Sequence, residues 1–188
     1  MKQYIIIAGV NGAGKTTLFD TNSMFEEMPR VNLDEIVRSF GSWKNRADVT
    51  KAGLMTVNKI KNFFDAGISF NQETTLCGKS IFNKIIRAKD NGYIIELYYV
   101  GLGSAELAKE RVRQRVANGG HGISDEDVER RYAESLTNLP RAISMSDVAQ
   151  IYDNTESFSE IAKFVDGKCM WSKQQLPKWY EEYVLKQI

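Results

Sequence analysis

An open, mostly parallel α/β sheet is the fold class this chain predicts, and three observations carry it. The run Tyr4-Ile5-Ile6-Ile7-Ala8 is continuously apolar and rich in β-branched residues, as a strand buried on both faces of a parallel sheet should be. A glycine-rich turn and a helix-like segment follow it directly. Further short apolar runs at Val31–Leu33, Ile68–Phe70, Tyr93–Val100 and Val148–Tyr152 alternate with helix-length segments. Right-handed crossovers between five such strands put helices on both faces and leave the ligand crevice beyond the carboxyl ends of the strands.

Between the strands, Ala52, Met55, Ile60 and Phe63, and then Ile81, Ile85 and Ala88, recur at helical spacing and read as the buried faces of covering helices. Ile161–Val165 and Lys168–Trp171 flank Asp166-Gly167, a two-residue hairpin signal, so a small antiparallel C-terminal hairpin is expected at the sheet edge. Behind Pro177, the residues Trp179, Tyr180, Tyr183 and Val184 form an aromatic stripe that a closing helix would bury in the core.

Composition bounds the rest. With 188 residues the chain can bury one good core, so a single domain over 1–188 is expected. Its 25 Lys and Arg against 24 Asp and Glu leave a formal charge of +1, which does not recruit nucleic acid through a global field. Cys77 and Cys169 are too few for a disulfide framework and have no C-x-x-C spacing, which points to a reducing, cytoplasmic setting. No apolar run approaches the roughly 18 residues of a membrane span, and no charged segment leads into a cleavable apolar one. Neither a membrane nor a nucleic-acid partner is expected.

The segment Gly9-Val10-Asn11-Gly12-Ala13-Gly14-Lys15-Thr16 fits G-x-x-x-x-G-K-[ST] completely, behind a buried strand and ahead of Thr17-Leu18-Phe19. The fold class narrows to a P-loop NTPase. Backbone around Gly9, Asn11, Gly12, Ala13, Gly14 and Thr17 would close on a phosphate, with Lys15 reaching the β and γ oxygens and Thr16 ligating Mg²⁺. The guanine-specifying N-K-x-D element is missing, since Asn58-Lys59-Ile60-Lys61 and Asn83-Lys84-Ile85-Ile86 both lack its Asp. A guanine switch is therefore disfavoured.

Asp34 follows the second apolar run and, in the parallel sheet, would project into the crevice as a base for an attacking hydroxyl. Capping a helix over Glu35–Phe40 is its structural alternative. Glu73 closes the run Ile68–Glu73 and leads into Thr74 and Thr75, a candidate shelf for Mg²⁺ or substrate hydroxyls, with loop capping as the alternative. Cys77 reads as a small buried thiol. From about 104 to 140 the chain reads as a helical lid. Arg111 and Arg115 share a helix face while Arg113 points away, Gly119-Gly120-His121-Gly122 supplies a hinge, and Ser124–Asp127 opens a second helix bearing Arg130 and Arg131. Arg115 and Arg131 are the expected phosphate clamps. His121, the single histidine, either bonds within its own turn or faces the nucleotide. Asn154 either meets a base edge or closes a turn.

Taken together, the P-loop, Asn32-Leu33-Asp34, Glu73-Thr74-Thr75, the stretch from Arg115 to His121, and Asp153-Asn154 resemble the zeta toxin family of small P-loop kinases over about residues 4–155. The resemblance implies a kinase-type sheet, ATP and Mg²⁺ on Lys15 and Thr16, Asp34 as the base, Glu73 supporting metal or substrate, and Arg115 as a clamp. It also implies a small-molecule hydroxyl acceptor, in that family a sugar hydroxyl of UDP-N-acetylglucosamine, and an antitoxin protein as partner. Where zeta toxins often carry a second lid arginine, this chain has Gly120-His121-Gly122, with Arg130 and Arg131 later. Two other classes compete: an ATP-binding regulatory protein that hydrolyses slowly and acts through a partner, and a nucleic-acid end kinase, which the near-neutral charge disfavours.

Overall fold

A computed structural model of the protein describes residues 1–187. The apolar run at the start forms β1 (Lys2–Gly9), fully buried from Tyr4 to Ala8, and the chain turns through the P-loop into α1 (Lys15–Asp20) and α2 (Ser23–Glu26). β2 (Arg30–Val31) is shorter than the expected Val31–Leu33, because the Asn32 side chain accepts from Asp34 N at 2.8 Å and Glu35 N at 3.3 Å and starts α3 (Leu33–Phe40) at once. α4 (Arg46–Ala66) buries Ala52, Ile60 and Phe64, with Phe63 packed against them. Met55, expected on that face, is exposed, because five residues from Ile60 is a poor match to the helical repeat.

β3 (Phe70–Thr74) begins two residues later than the apolar run suggested, and α5 (Ser80–Asp90) then buries Ile81, Phe82, Ile85 and Ala88. Next come β4 (Tyr93–Gly101), the helices α6 (Ala105–Ala117) and α7 (Asp125–Met145), and β5 (Val148–Asp153). The hairpin β6 (Ser159–Val165) and β7 (Lys168–Ser172) turns at Asp166 and Gly167, both with positive φ, 48° and 72°, as the sequence pair demands. Pro177 caps α8 (Lys178–Tyr180), which runs into a π-helical turn at Glu181–Leu185 and buries Trp179, Tyr180 and Val184.

The strand order is β2-β3-β1-β4-β5-β6-β7, seven strands in one sheet where a five-stranded sheet with a small hairpin at its edge was expected. The first five are parallel. β6 joins β5 antiparallel, with Ala149 opposite Phe164, so it satisfies backbone groups that would otherwise lie along an open edge. β1 sits between β3 and β4, and its carboxyl end delivers the P-loop to the crevice.

α7 is tied to the body. Asn138 Nδ2 donates to Leu76 O (2.9 Å), Gly78 N to Glu134 Oε1 (2.7 Å), the Cys77 thiol to Arg131 O (3.4 Å) and Tyr132 OH to Leu102 O (2.9 Å). α6 ends at a Schellman-type turn, Gly120 N to Arg115 O and Gly119 N to Val116 O, and no regular structure follows until Ser124 caps α7.

The closing segment can be tested at its tightest contact. A Cβ on Gly101 would lie 2.3 Å from Trp179 Cζ2, and the indole cannot retreat because it is buried and its Nε1 donates to Asp153 Oδ1 at 2.8 Å. Gly101→Ala should destabilise the fold by about 1–3 kcal/mol through overpacking, read as a drop of several degrees in Tm by calorimetry.

Candidate active site

The P-loop packs against the residue that follows β5. Gly14 holds the turn into α1 in the left-handed region (φ 96°), and a Cβ there would meet Asn154 Nδ2 at 2.7 Å. Asn154 Nδ2 donates to Ala13 O at 2.9 Å, so Asn154 braces the loop from the end of β5. No side chain caps α1, and the amides of its first turn have no intrahelical partner, which leaves donors for phosphate oxygens. Asn11 Oδ1 is buried with no hydrogen-bond partner among the described residues.

Gly12, Gly14, Lys15, Thr16, Glu73, Arg111 and Arg115 line one cavity of about 210 Å³. Lys15 is almost fully buried, and its Nζ donates to Gly9 O at 2.9 Å and Val10 O at 3.1 Å. Burial lowers its proton affinity, and Arg115 adds to that, whereas Glu73 and Asp34 oppose it. Glu73 Oε2 accepts from Arg30 Nη2 and Asn32 Nδ2, both at 2.7 Å. Arg30 in turn reaches Glu35 at 2.9 Å and lies over the Phe19 ring at 3.7 Å, so both flank the carboxylate from fixed positions. Arg111 Nη2 donates to Thr155 O at 3.2 Å, and its helix partner Arg115 leans toward the lid tip, its Nε donating to His121 O at 3.1 Å.

Asp34 stands in the first turn of α3, neither at a strand end nor as the cap, a role that Asn32 takes. His121 Nε2 lies 3.3 Å from Asp34 Oδ2, and the His121 ring stacks on Trp43. The lone histidine thus faces the carboxylate. Thr17 is exposed and, with Thr74, Thr75 and Arg131, stays out of the cavity lining. Thr74 Oγ1 accepts from Leu76 N at 3.1 Å, and Thr75 O from the Cys77 thiol, so both serve the loop. Arg130 pairs with Asp127 and Glu134 on an exposed face, and Arg113 pairs with Asp125 away from the site.

Arg30 and Trp43 escaped the sequence reading, and Asn32 was named there without a role. Asn32 beside Asp34 could have been read as a cap; nothing local marks Trp43. Thr16 and Glu73 present a hydroxyl and a carboxylate to one cavity, a hard-oxygen donor set that suits Mg²⁺. Among the described residues, no helix is long and apolar enough to cross a membrane.

Residues 1–173 match the Zeta toxin family. An uncharacterized protein of Haemophilus influenzae is 31% identical over 128 residues, which is 68% of this chain and 91% of that protein. Among solved structures, a chain of the AvrRxo1-ORF1:AvrRxo1-ORF2 complex with sulphate ions aligns at TM-score 0.77 and 15% identity, covering 100% of this chain. This chain spans 65% of that one. The same complex with ATP gives the same figures. A chain from the PezAT chromosomal toxin–antitoxin system of Streptococcus pneumoniae aligns at TM-score 0.60 and 16% identity, covering 100% of this chain and 80% of that one. At such identities the likeness is one of fold.

Lys15 carries a pH signature. Because its folded proton affinity lies below the ordinary 10.5, the unfolded chain binds that proton more strongly, and the buried charge costs stability at neutral pH. That cost fades as pH rises through the depressed pKa toward 10.5. Lys15→Met should abolish ATP binding by calorimetric titration yet keep or raise Tm at neutral pH, with the gain over wild type shrinking as pH approaches 10.

Proposed function

The chain belongs to the zeta toxin family, and from that premise we propose that it is an ATP- and Mg²⁺-dependent small-molecule kinase of the cytoplasm. It transfers the γ-phosphate of ATP to a hydroxyl of a sugar or nucleotide sugar, UDP-N-acetylglucosamine by family resemblance. One observation carries the reading. Lys15, Thr16, Glu73, Arg111 and Arg115 converge on a single cavity, and Asp34 lies near enough to raise the proton affinity of Lys15.

In this reading the arriving phosphates draw Lys15 Nζ away from the Gly9 and Val10 carbonyls, and first-turn amides of α1 take further oxygens. Arg115, whose bonds to the lid tip are few, swings onto the transferring phosphoryl group while Arg111 stays anchored on Thr155 O. Thr16 and Glu73 would hold Mg²⁺, which would supply charge neutralisation on the phosphates. Arg30 and Asn32 fix Glu73 for that task. Asp34 takes the proton of the acceptor hydroxyl as it attacks. The nucleoside end of ATP lies on the Asn154–Thr155 side, beyond which a larger cavity of about 470 Å³ opens between Gly103, Glu156 and Lys178. The domain runs over 1–188 with its lid at about 104–140. An antitoxin is the proposed protein partner, supported by the toxin–antitoxin system to which the Streptococcus pneumoniae neighbour belongs.

Asp34→Asn keeps the shape and removes the base. With labelled ATP, Mg²⁺ and a panel of nucleotide sugars, sugars and nucleosides, the wild type should label an acceptor. The variant should bind ATP with similar affinity and transfer about 10²- to 10⁴-fold more slowly. If the wild type labels nothing and both proteins hydrolyse ATP alike, the regulatory ATPase takes its place.

A further inference from the structure

Two side chains that phosphoryl transfer does not require hold the acceptor side of Asp34. His121 belongs to the lid tip and Trp43 to the irregular segment between α3 and α4, yet their rings stack with centroids 4.3 Å apart and planes 11° apart. The same imidazole puts Nε2 3.3 Å from Asp34 Oδ2 and 3.4 Å from Arg115 Nη2. A ring therefore stands where a hydroxyl must come to give Asp34 its proton.

The occupant is held by weak forces. Burial depresses the proton affinity of His121, and Arg115, Arg38 and Arg131 depress it further against the pull of Asp34, so near neutral pH the ring carries no charge to bind Asp34 strongly. Stacking on an indole is tolerant of what stacks, and a sugar face or a base fits it as well as an imidazole. Trp43 brings a second sign. Its Nε1 is buried with no hydrogen-bond partner among the described residues, an arrangement that favours a ligand able to accept from it.

Resting on the kinase reading above, we propose that Trp43 is the platform on which a ring-bearing acceptor packs, and that His121 is the internal occupant that this acceptor displaces. Until displacement, the imidazole occupies the place beside Oδ2 of the half-buried Asp34 where an attacking water would stand, which protects ATP from wasteful hydrolysis. Trp43 and His121 thereby tie use of the base to the arrival of an acceptor with a ring to stack.

The test needs no knowledge of the acceptor, because water can report on the uncovered base. ATP binding by the wild type is measured first; no binding overturns the kinase reading and this inference with it. Where ATP binds, His121→Ala should hydrolyse it about tenfold faster without any acceptor, part of the gain that general-base help to water can give. Asp34→Asn in that background should remove the rise. Millimolar imidazole should refill the vacated space and slow His121→Ala again. It should still do so when Trp43→Phe is added, and should have no effect when Trp43→Ala is added. Hydrolysis by His121→Ala no faster than wild type, or equal slowing by imidazole with and without Trp43, would overturn the proposal while leaving the kinase reading in place.

Discussion

A lysine ammonium buried at the end of the central strand is the constraint around which the site is arranged. Lys15 is 8% exposed, and its two hydrogen bonds go to the carbonyls of the strand end from which its own loop departs. A charge so placed is tolerable only with compensation nearby. Glu73 and Asp34 supply it from the carboxyl side of β3 and from α3. Glu73 is in turn held by the Arg30 guanidinium of β2 and by a hydrogen bond from Asn32 in the turn behind it. One buried side chain is thus surrounded by charges that β2, β3 and α3 bring to the end of β1.

Much of this was legible because it is local. The P-loop is one continuous segment whose strand, turn and helix lie within a few residues of each other, and the Asp166-Gly167 turn dictates its own hairpin. The hairpin was expected at the sheet edge but not counted among its strands, although an unpaired β5 edge invites it to extend the sheet to seven. What local pattern does not carry is which distant residues meet. His121 and Asp34 are far apart in sequence, and only the folded lid brings them together. For the same reason Arg111, not Arg131, lines the cavity with Arg115: positions four apart on one helix stay together, whereas α6 and α7 set Arg131 off on another face. Asn32 shows a subtler limit. The expected choice for Asp34 lay between base and cap, but the Asn32 amide took the cap and left the carboxylate to face His121.

The fastening of α7 has a consequence for timing. With Leu76, Gly78 and Cys77 bound to its residues, and Tyr132 bound to the strand end at Leu102, α7 cannot swing as a rigid arm without breaking several bonds at once. α6 is similarly committed through Arg111 and its buried Ala108 and Val112. Only the short irregular stretch from the end of α6 to Ser124 is left to rearrange. Motions of so short a loop belong to nanoseconds and microseconds, well below the microsecond-to-millisecond range of domain hinges. Few residues are involved, so such a rearrangement costs little chain entropy.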